Sequence, residues 1–195
     1  MKSKDWVNRQ KNDFYVNQAK LDGYVSRAAF KIIEIEKKFK LIEKSKQILE
    51  LGSSPGGWSQ VIFEINKNTN VYGFDLLEMK FNHPQFKFFQ NDFLTFDYLK
   101  IPNKFDLILS DIAPNTIGHQ STDHLRIARM IEEVIFILDD IALVDSSFVF
   151  KLWKGNEESS LISKLKKKYK KISYFKPKSS RSESSEIYII AQNFK

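Results

Sequence analysis

The sequence contains no cysteine, and this absence excludes several classes of protein. A disulfide-stapled scaffold, a thiolate metal site and a cysteine nucleophile all require the missing residue. Only three histidines occur, and they form no close pair. We therefore expect no bound metal.

Long apolar runs are also missing. No stretch of about 18 apolar residues occurs, so the sequence predicts no membrane-spanning helix. Residues 1–14 lack the apolar centre of a signal peptide. We expect a cytoplasmic protein, or an organellar one in a eukaryote, with no membrane partner.

Glycine and proline are few, with seven and five residues scattered along the chain. No segment is rich enough in them to form a linker, and no internal repeat is visible. With 195 residues, the chain has a length typical of one domain. We predict a single domain over 1–195, in which residues 1–22 form an N-terminal extension on or beside the core.

Acidic residues are outnumbered, with 24 Asp and Glu against 31 Lys and Arg, for a net charge of +7. A surplus of this size is typical of proteins with a polyanionic partner, most simply a nucleic acid. A lysine-rich soluble surface explains the charge equally well. Composition alone leaves both interpretations open.

Short apolar runs alternate with segments of helical periodicity, which predicts an α/β domain with a mostly parallel sheet. Helices are predicted over 26–40, with Ser26 as the N-cap, and over 58–65, 122–143 and 157–170. Strands are predicted over 47–51, 70–75, 86–90, 105–111, 147–153, 172–175 and 186–191. In such sheets a ligand binds beyond the carboxyl ends of the strands. The residues at or just after these ends are Gly52, Asp75, Asp92, Asp111 and Lys151.

A glycine-rich loop, ELGSSPGGW, spans residues 50–58. It is not a phosphate-binding P-loop, because Trp58 stands where that motif has lysine. It is not the dinucleotide fingerprint either, because Ser54 stands at the second glycine. Asp75 follows at about the separation (roughly 20 residues) of an acid that holds a ribose. The loop therefore suits a ribose-bearing cofactor without a pyrophosphate, such as S-adenosylmethionine, although a tight turn with Asp75 as a cap would also explain it.

The loop residues 50–60, ELGSSPGGWSQ, resemble the cofactor loop of the FtsJ/RrmJ-type RNA ribose 2'-O-methyltransferases. Further segments resemble that family in the same order along residues 15–192: YVSRAAFK (24–31), NDF (91–93), SDIAPNTIG (110–118), VFK (149–151) and KPKSSRSESSEIYIIA (176–191). Two departures occur. Ser53 replaces a common alanine, and Val144–Ser146 replace a usual Pro-Gly turn.

The resemblance implies a Rossmann-like S-adenosylmethionine-dependent methyltransferase fold. Its sheet is mostly parallel, with seven strands of which one is antiparallel, and helices cover both faces. The resemblance also implies a catalytic tetrad of Lys31, Asp111, Lys151 and Glu186. The cofactor contacts that we expect are Gly52, Ser54, Pro55, Gly56, Gly57, Trp58, Asp75, Leu76, Asp92, Phe93 and Asp111.

Residue chemistry agrees with that tetrad. Lys151 lies between apolar residues of a predicted strand, where a lysine needs a partner or a path to solvent. It is the candidate base for a ribose hydroxyl, and a second cation such as Lys31 would favour its neutral form. Asp111 and Glu186 would orient the two lysines, with S-adenosylhomocysteine as the product left by methyl transfer.

The resemblance implies a monomer that methylates a uridine ribose of large-subunit ribosomal RNA, within a ribosomal particle. A transfer-RNA or cap 2'-O-methyltransferase is one alternative, and a catalytically silent RNA-binding assembly factor is another. For RNA contacts we favour Arg27, Lys178 and Arg181. The lysines between 164 and 171 fit either phosphate contacts or a solvated helix face.

Overall fold

A computed structural model describes residues 13–96, 101, 104–113, 120–155 and 157–195. Residues 1–12 of the predicted extension and 114–118 of the fourth-strand motif lie outside the described residues. Within these ranges, one seven-stranded sheet has the order β3-β2-β1-β4-β5-β7-β6. Its strands are β1 (Gln47–Leu51), β2 (Asn70–Asp75), β3 (Phe86–Gln90), β4 (Phe105–Ser110), β5 (Ala142–Trp153), β6 (Tyr169–Phe175) and β7 (Glu186–Phe194).

The five strands from β3 to β5 pair in parallel, whereas β7 is antiparallel to both β5 and β6. The predicted mostly parallel sheet with one antiparallel strand is therefore confirmed. In the β5–β7 pair, Lys151 lies opposite Tyr188 and Trp153 lies opposite Glu186. This register brings the carboxyl half of β5 beside the first residues of β7.

Five helices are described: α1 (Phe14–Leu21), α2 (Ala29–Phe39), α3 (Gly57–Ile65), α4 (Gln120–Ile141) and α5 (Glu158–Lys168). The predicted N-cap at Ser26 is wrong, because α2 begins after Ala28, which makes no side-chain capping bond. The carbonyl of Ser26 instead accepts from the N–H of Ala29 at 3.3 Å, in a turn before the helix.

Several boundaries differ from the sequence prediction: β6 begins at Tyr169 rather than 172, β7 ends at Phe194 rather than 191, and two further differences have local reasons. Helix α1 lies in the segment predicted only as an extension, and its N-cap Asp13 accepts from the N–H of Val16 at 3.2 Å. Strand β5 begins at Ala142 rather than 147, and Asp145 within it has a φ of 63°. The register against β4 shifts between Phe105 and Leu107, which accommodates the residues that replace a Pro-Gly turn.

Helices cover both faces of the sheet, and each face has its own apolar core. Helices α4 and α5 bury one face through side chains such as Ile131, Leu138 and Leu165. Helices α2 and α3 bury the other through Ile32 and Ile62. Alternate residues of β5 face opposite sides. Phe148, Phe150 and Leu152 therefore join the first core and Val149 joins the second.

No helix within the described ranges is long and apolar enough to cross a membrane. Helix α4 is the longest of them with 22 residues, but charged residues interrupt its sequence.

The chain bends at Gly52, just after the end of β1, and its backbone φ of 76° favours glycine. A Cβ at this position would lie 2.8 Å from the backbone nitrogen of Ile112. Gly23 has a similar φ of 78°, but a Cβ there would meet nothing within 4 Å. The two glycines therefore share a backbone conformation and differ in available space.

We expect Gly23→Ala to reduce the free energy of unfolding by about 1 kcal/mol, the cost of a side chain in the left-handed region. Gly52→Ala should lose about 2 kcal/mol more, because the backbone of Ile112 must also move. Urea unfolding of both variants measures the difference. Equal losses would show that the close approach at Gly52 has no energetic consequence.

Candidate active site

The carboxyl ends of the central parallel strands bring four segments together at one edge of the sheet. Beyond β1, the N–H groups of Gly52 and Ser53 both donate to the carbonyl of Phe74 in β2. Beyond β4, the N–H of Asp111 donates to the carbonyl of Leu51 at 3.0 Å. These bonds continue the hydrogen-bond ladders one or two residues beyond the strands. They therefore fix the backbone from which the polar side chains of this edge project.

Lys151 and Asp111 form an ion pair at this edge. The Lys151 ammonium lies 3.1 Å from Oδ1 of Asp111 and donates to the backbone carbonyl of the same residue at 2.7 Å. Only 6% of Lys151 is exposed. Because a lysine has three donors, these two bonds leave one for another acceptor.

The Asp111 carboxylate also accepts from the hydroxyl of Tyr188 at 2.7 Å. Burial by itself would raise the pKa of Asp111, but the Lys151 and Lys31 ammonium groups and the Tyr188 hydroxyl outweigh burial and lower that pKa. Burial and the neighbouring carboxylates raise the pKa of Tyr188 well above its ordinary value. Tyr188 therefore keeps its proton and acts as a donor.

A second ion pair joins opposite ends of the sequence. Lys31 of α2 lies 2.8 Å from Oε2 of Glu186, the first residue of β7. The hydroxyl of Ser180 donates to the other oxygen, Oε1, at 2.7 Å. The Lys31 ammonium also lies 5.7 Å from the centre of the Tyr188 ring, so Tyr188 lies near both ion pairs.

The structure thus brings the four predicted tetrad residues together as two ion pairs around Tyr188. Sequence reasoning missed Tyr188 and Ser180. The signal for Tyr188 was available, because it alternates with Glu186 along a strand and so shares its face. Ser180 carried no signal, because a loop residue's partner cannot be read from spacing.

The glycine loop is anchored on both sides. Asp75, the last residue of β2, accepts from the N–H of Ser54 at 2.9 Å and from that of Leu77 at 2.9 Å. The Ser54 hydroxyl donates to the carbonyl of Glu78, and the carbonyl of Pro55 accepts from the N–H of Lys80. Asp75 therefore ties the loop to the end of β2, and its carboxylate has lone pairs left for hydroxyl groups.

Gly56 and Gly57 form the start of α3. Gly56 has a φ of 108°, and a Cβ there would lie 2.9 Å from the sulfur of Met79. Trp58 is buried, its indole N–H donating to the carbonyl of Ala28 at 2.8 Å and its ring lying 5.8 Å from that of Tyr188. The backbone N–H groups at the start of α3 are thus what this segment offers a ligand.

The remaining predicted cofactor residues follow β2 and β3. Leu76, directly after Asp75, is 67% exposed, and its neighbour Leu77 is 68% exposed. Asp92 accepts from the N–H of Leu94 at 3.0 Å. The Phe93 side chain is buried in the core under α4. Exposed leucines beside a carboxylate fit a nucleoside, which has an apolar base face and ribose hydroxyl donors.

Comparison with known proteins agrees with this geometry. The family model for FtsJ-like methyltransferases matches residues 24–194, which include both ion pairs and the glycine loop. The chain belongs to this family.

Two similar curated proteins are named ribosomal RNA large subunit methyltransferase E, from Rickettsia felis and Rickettsia canadensis. They are 39% and 38% identical over 206 residues, covering all of this chain and 90% of each relative. A solved structure from Plasmodium falciparum, named provisionally as a ribosomal RNA methyltransferase, is also similar. It has a TM-score of 0.77 and 31% identity, over 88% of this chain and 98% of that one.

In this FtsJ-like chain, both predicted RNA-binding arginines form ion pairs with one carboxylate. Asp13, the N-cap of α1, forms ion pairs with both Arg27 and Arg181. Arg27 also donates to the carbonyl of Ser179. Both guanidinium groups therefore have intramolecular partners, and a phosphate contact would have to share them.

The third predicted RNA contact, Lys178, differs from the arginines. Its backbone N–H donates to Glu34 at 2.6 Å, while the residue remains exposed. Among the described residues no ion pair involves its ammonium. A fixed backbone with a charged side chain in solvent suits a phosphate contact.

Several lysines between 164 and 171 form ion pairs within the protein. Lys164 and Lys168 of α5 form ion pairs with Glu132 and Asp139 of α4, and Lys170 pairs with Asp145. Exposed pairs of this kind contribute little to stability. They still favour the solvated-face interpretation for these three lysines. Within the described ranges, no group of three His, Asp or Glu residues is placed to hold a metal ion.

Glu50 is a buried carboxyl beneath the glycine loop. It is 1% exposed and accepts from the hydroxyl of Ser59 at 2.6 Å. Burial raises the pKa of Glu50 to about 8, with further contributions from the charges of Asp111 and Asp75 and against the effect of the Ser59 bond. Near neutral pH this FtsJ-like protein therefore carries a mostly protonated glutamate under its candidate cofactor loop.

We expect Glu50 to make the protein less stable in alkaline solution. Since the folded state holds this proton more tightly than the unfolded chain, protonation favours folding. The contribution is complete below the ordinary value of 4.5 and is lost as the pH rises through about 8. Glu50→Gln stays neutral, so its melting temperature should fall less than that of the wild type between about pH 6 and pH 9.

The exposed Glu43→Gln serves as the control and should follow the wild type across the same range. Parallel melting curves for the wild type and Glu50→Gln would contradict a buried, protonated Glu50.

Proposed function

We propose that this FtsJ-like protein transfers a methyl group from S-adenosylmethionine to a ribose 2'-hydroxyl of RNA. The observation that carries the proposal is the convergence of the Lys151–Asp111 and Lys31–Glu186 ion pairs beside the glycine loop. A buried lysine with one donor position left is suited to contact a hydroxyl oxygen, and family membership supplies the reaction class.

S-adenosylmethionine would supply a methyl group on a positively charged sulfur. In the transfer the 2'-oxygen would gain the bond to carbon that sulfur loses, and sulfur would keep the electrons of its broken bond, which leaves S-adenosylhomocysteine. The hydroxyl proton goes to Lys151, which must be neutral at that moment. Alignment of the reacting atoms and removal of this proton each lower the barrier.

Asp111 and Tyr188 position the lysine in this proposal. The 2.7 Å bond to the Asp111 carbonyl and the 3.1 Å contact with its carboxylate fix the Lys151 side chain along β5. The Lys31 ammonium is the second cation that lowers the pKa of Asp111, and Glu186 holds Lys31 in place at 2.8 Å.

The glycine loop holds the cofactor in this proposal. Asp75 would accept hydrogen bonds from the ribose hydroxyls, and Leu76 would pack on the base together with residues near Asp92. The N–H groups at the start of α3, from Gly57 and Trp58, would bind the amino-acid part. Gly52, Ser54, Pro55 and Gly56 shape the surface, and Asp111 borders the reacting end. Phe93 contributes through its backbone, since its side chain is in the core.

We propose a uridine of large-subunit ribosomal RNA as the substrate, in the cytoplasm. The names of the Rickettsia relatives support the large subunit. The surplus of positive charge is consistent with an RNA partner. We also propose that residues 1–195 act as one monomeric domain, with residues 1–22 as an extension of the core.

The test is methyl transfer from labelled S-adenosylmethionine to large ribosomal subunits, free ribosomal RNA and transfer RNA, followed by mapping of the modified riboses. We expect label on a uridine ribose of the large subunit. Label on transfer RNA would contradict the substrate but retain the chemistry. Cofactor binding without any transfer would favour a silent assembly factor.

In the same assay we expect Lys151→Met to abolish transfer, because the variant has no group to accept the proton. Cofactor affinity should stay within about threefold, because Lys151 contacts the acceptor rather than the loop. Lys46→Met, an exposed lysine before β1, controls for loss of one positive charge. Turnover by Lys151→Met at the rate of that control would contradict the role of the lysine as base.

RNA binding should distinguish Lys178 from the paired lysines. Lys178→Gln is expected to weaken binding across sequences and to reduce the slope of log affinity against log salt by about 1, as for one lost phosphate contact. Lys164→Gln should change neither quantity to the same extent, because Lys164 is paired with Glu132. Equal salt slopes for wild type and Lys178→Gln would exclude the contact.

A further inference from the structure

The loop between β6 and β7 contains a tight turn that ends beside the Lys31–Glu186 ion pair. The carbonyl of Pro177 accepts from the N–H of Ser180 at 3.1 Å, which makes Lys178 and Ser179 the central residues of the turn. Ser180 then places its hydroxyl 2.7 Å from Glu186. The position of this turn therefore decides where Ser180 meets the Glu186 carboxylate.

Glu34 of α2 binds the centre of this turn with both carboxylate oxygens. Oε2 accepts from the N–H of Lys178 at 2.6 Å, and Oε1 accepts from the N–H of Ser179 at 2.8 Å. A carboxylate that accepts two backbone N–H groups forms a strong, charge-assisted contact. Ser179 is held through both of its backbone polar groups, because Arg27 donates to its carbonyl while its N–H donates to Glu34.

Glu34 and Lys31 lie one turn apart on α2, so they share a face of that helix. Lys31 contacts the side chain of Glu186, and Glu34 contacts the loop that precedes Glu186. One rigid helix therefore fixes both the cation and the backbone that carries its carboxylate partner. The helix thereby holds two long-range contacts in one arrangement: Glu34 with Ser179, 145 positions apart, and Lys31 with Glu186, 155 positions apart.

We propose that Glu34 is a positioning residue for methyl transfer, acting through Ser180 to hold Glu186 against Lys31. The inference rests on the proposed function of the tetrad. Glu34 itself contacts only backbone atoms of the turn and is not expected to meet substrate or cofactor. Without it, the turn loses its attachment to α2, and Ser180 no longer orients the Glu186 carboxylate.

The test compares Glu34→Gln, Ser180→Ala, Glu186→Gln and the double variant Glu34→Gln/Glu186→Gln. A glutamine offers one acceptor oxygen where the turn presents two N–H groups, and its amide nitrogen would oppose the second. We expect Glu34→Gln and Ser180→Ala each to lower kcat about tenfold, with cofactor affinity within about twofold of wild type.

The chain offers a matched control on the same helix. Glu36 accepts from the N–H groups of Leu41 and Ile42 at 2.7 and 2.8 Å, the same kind of contact at the far end of α2. Glu36→Gln should lower the melting temperature at least as much as Glu34→Gln, because Glu36 is more buried. At a temperature where both remain folded, Glu36→Gln should keep the wild-type kcat.

The double variant tests whether Glu34 acts through Glu186. We expect the double variant to be no slower than Glu186→Gln alone, because the contact that Glu34 supports is already gone. Multiplied effects, or an unchanged kcat for Glu34→Gln, would overturn the positioning role alone. An unchanged kcat for Glu186→Gln would overturn the role of Glu186 in the proposed function and the positioning role with it.

Discussion

The Asp111 carboxylate is the group on which the arrangement of the site depends. Two ammonium groups lie near it at a largely buried edge of the sheet, and without an anion they would repel each other where water screens little. Asp111 provides that charge and accepts from Tyr188 as well. Its own place is fixed by the backbone bond to Leu51, so the central ladder of the sheet sets the geometry of the chemistry.

The fold supplies the site with different environments on its two sides. Around Lys151, buried strands and Tyr188 exclude water, which strengthens every charge interaction there. Beside Asp75, Leu76 and Leu77 are exposed to solvent, as a surface that binds an exchangeable ligand must be. The glycine loop lies between the two environments. A cofactor bound on it would have one end in solvent and its other end among buried charges.

Sequence reasoning was accurate where a local signal decides the structure. Strands β2 and β3 match their predicted bounds because apolar runs end there in polar residues. The predicted start of α2 at Ser26 was wrong. The residues directly after Ser26 form a turn before the helix, although a capping rule would place them within it. Among site residues, the resemblance predicted a tetrad, and the structure brings its four side chains together as two ion pairs. Sequence reasoning missed Glu34 because its partners are backbone N–H groups of a distant loop. It missed Ser180 because no spacing rule pairs a loop serine with a carboxylate six residues later.

The position of β7 in the sheet has a consequence for synthesis of the chain. This last strand lies between β5 and β6 and bonds to both, so β6 has no place in the sheet until β7 has been made. Glu186 and Tyr188, at the start of β7, complete the contacts of Lys31 and Asp111. Before β7 has been made, a nascent chain therefore has Lys31 without Glu186 and Asp111 without the Tyr188 hydroxyl. The candidate site is therefore complete only once β7 has been synthesised and has paired with both of its neighbours in the sheet.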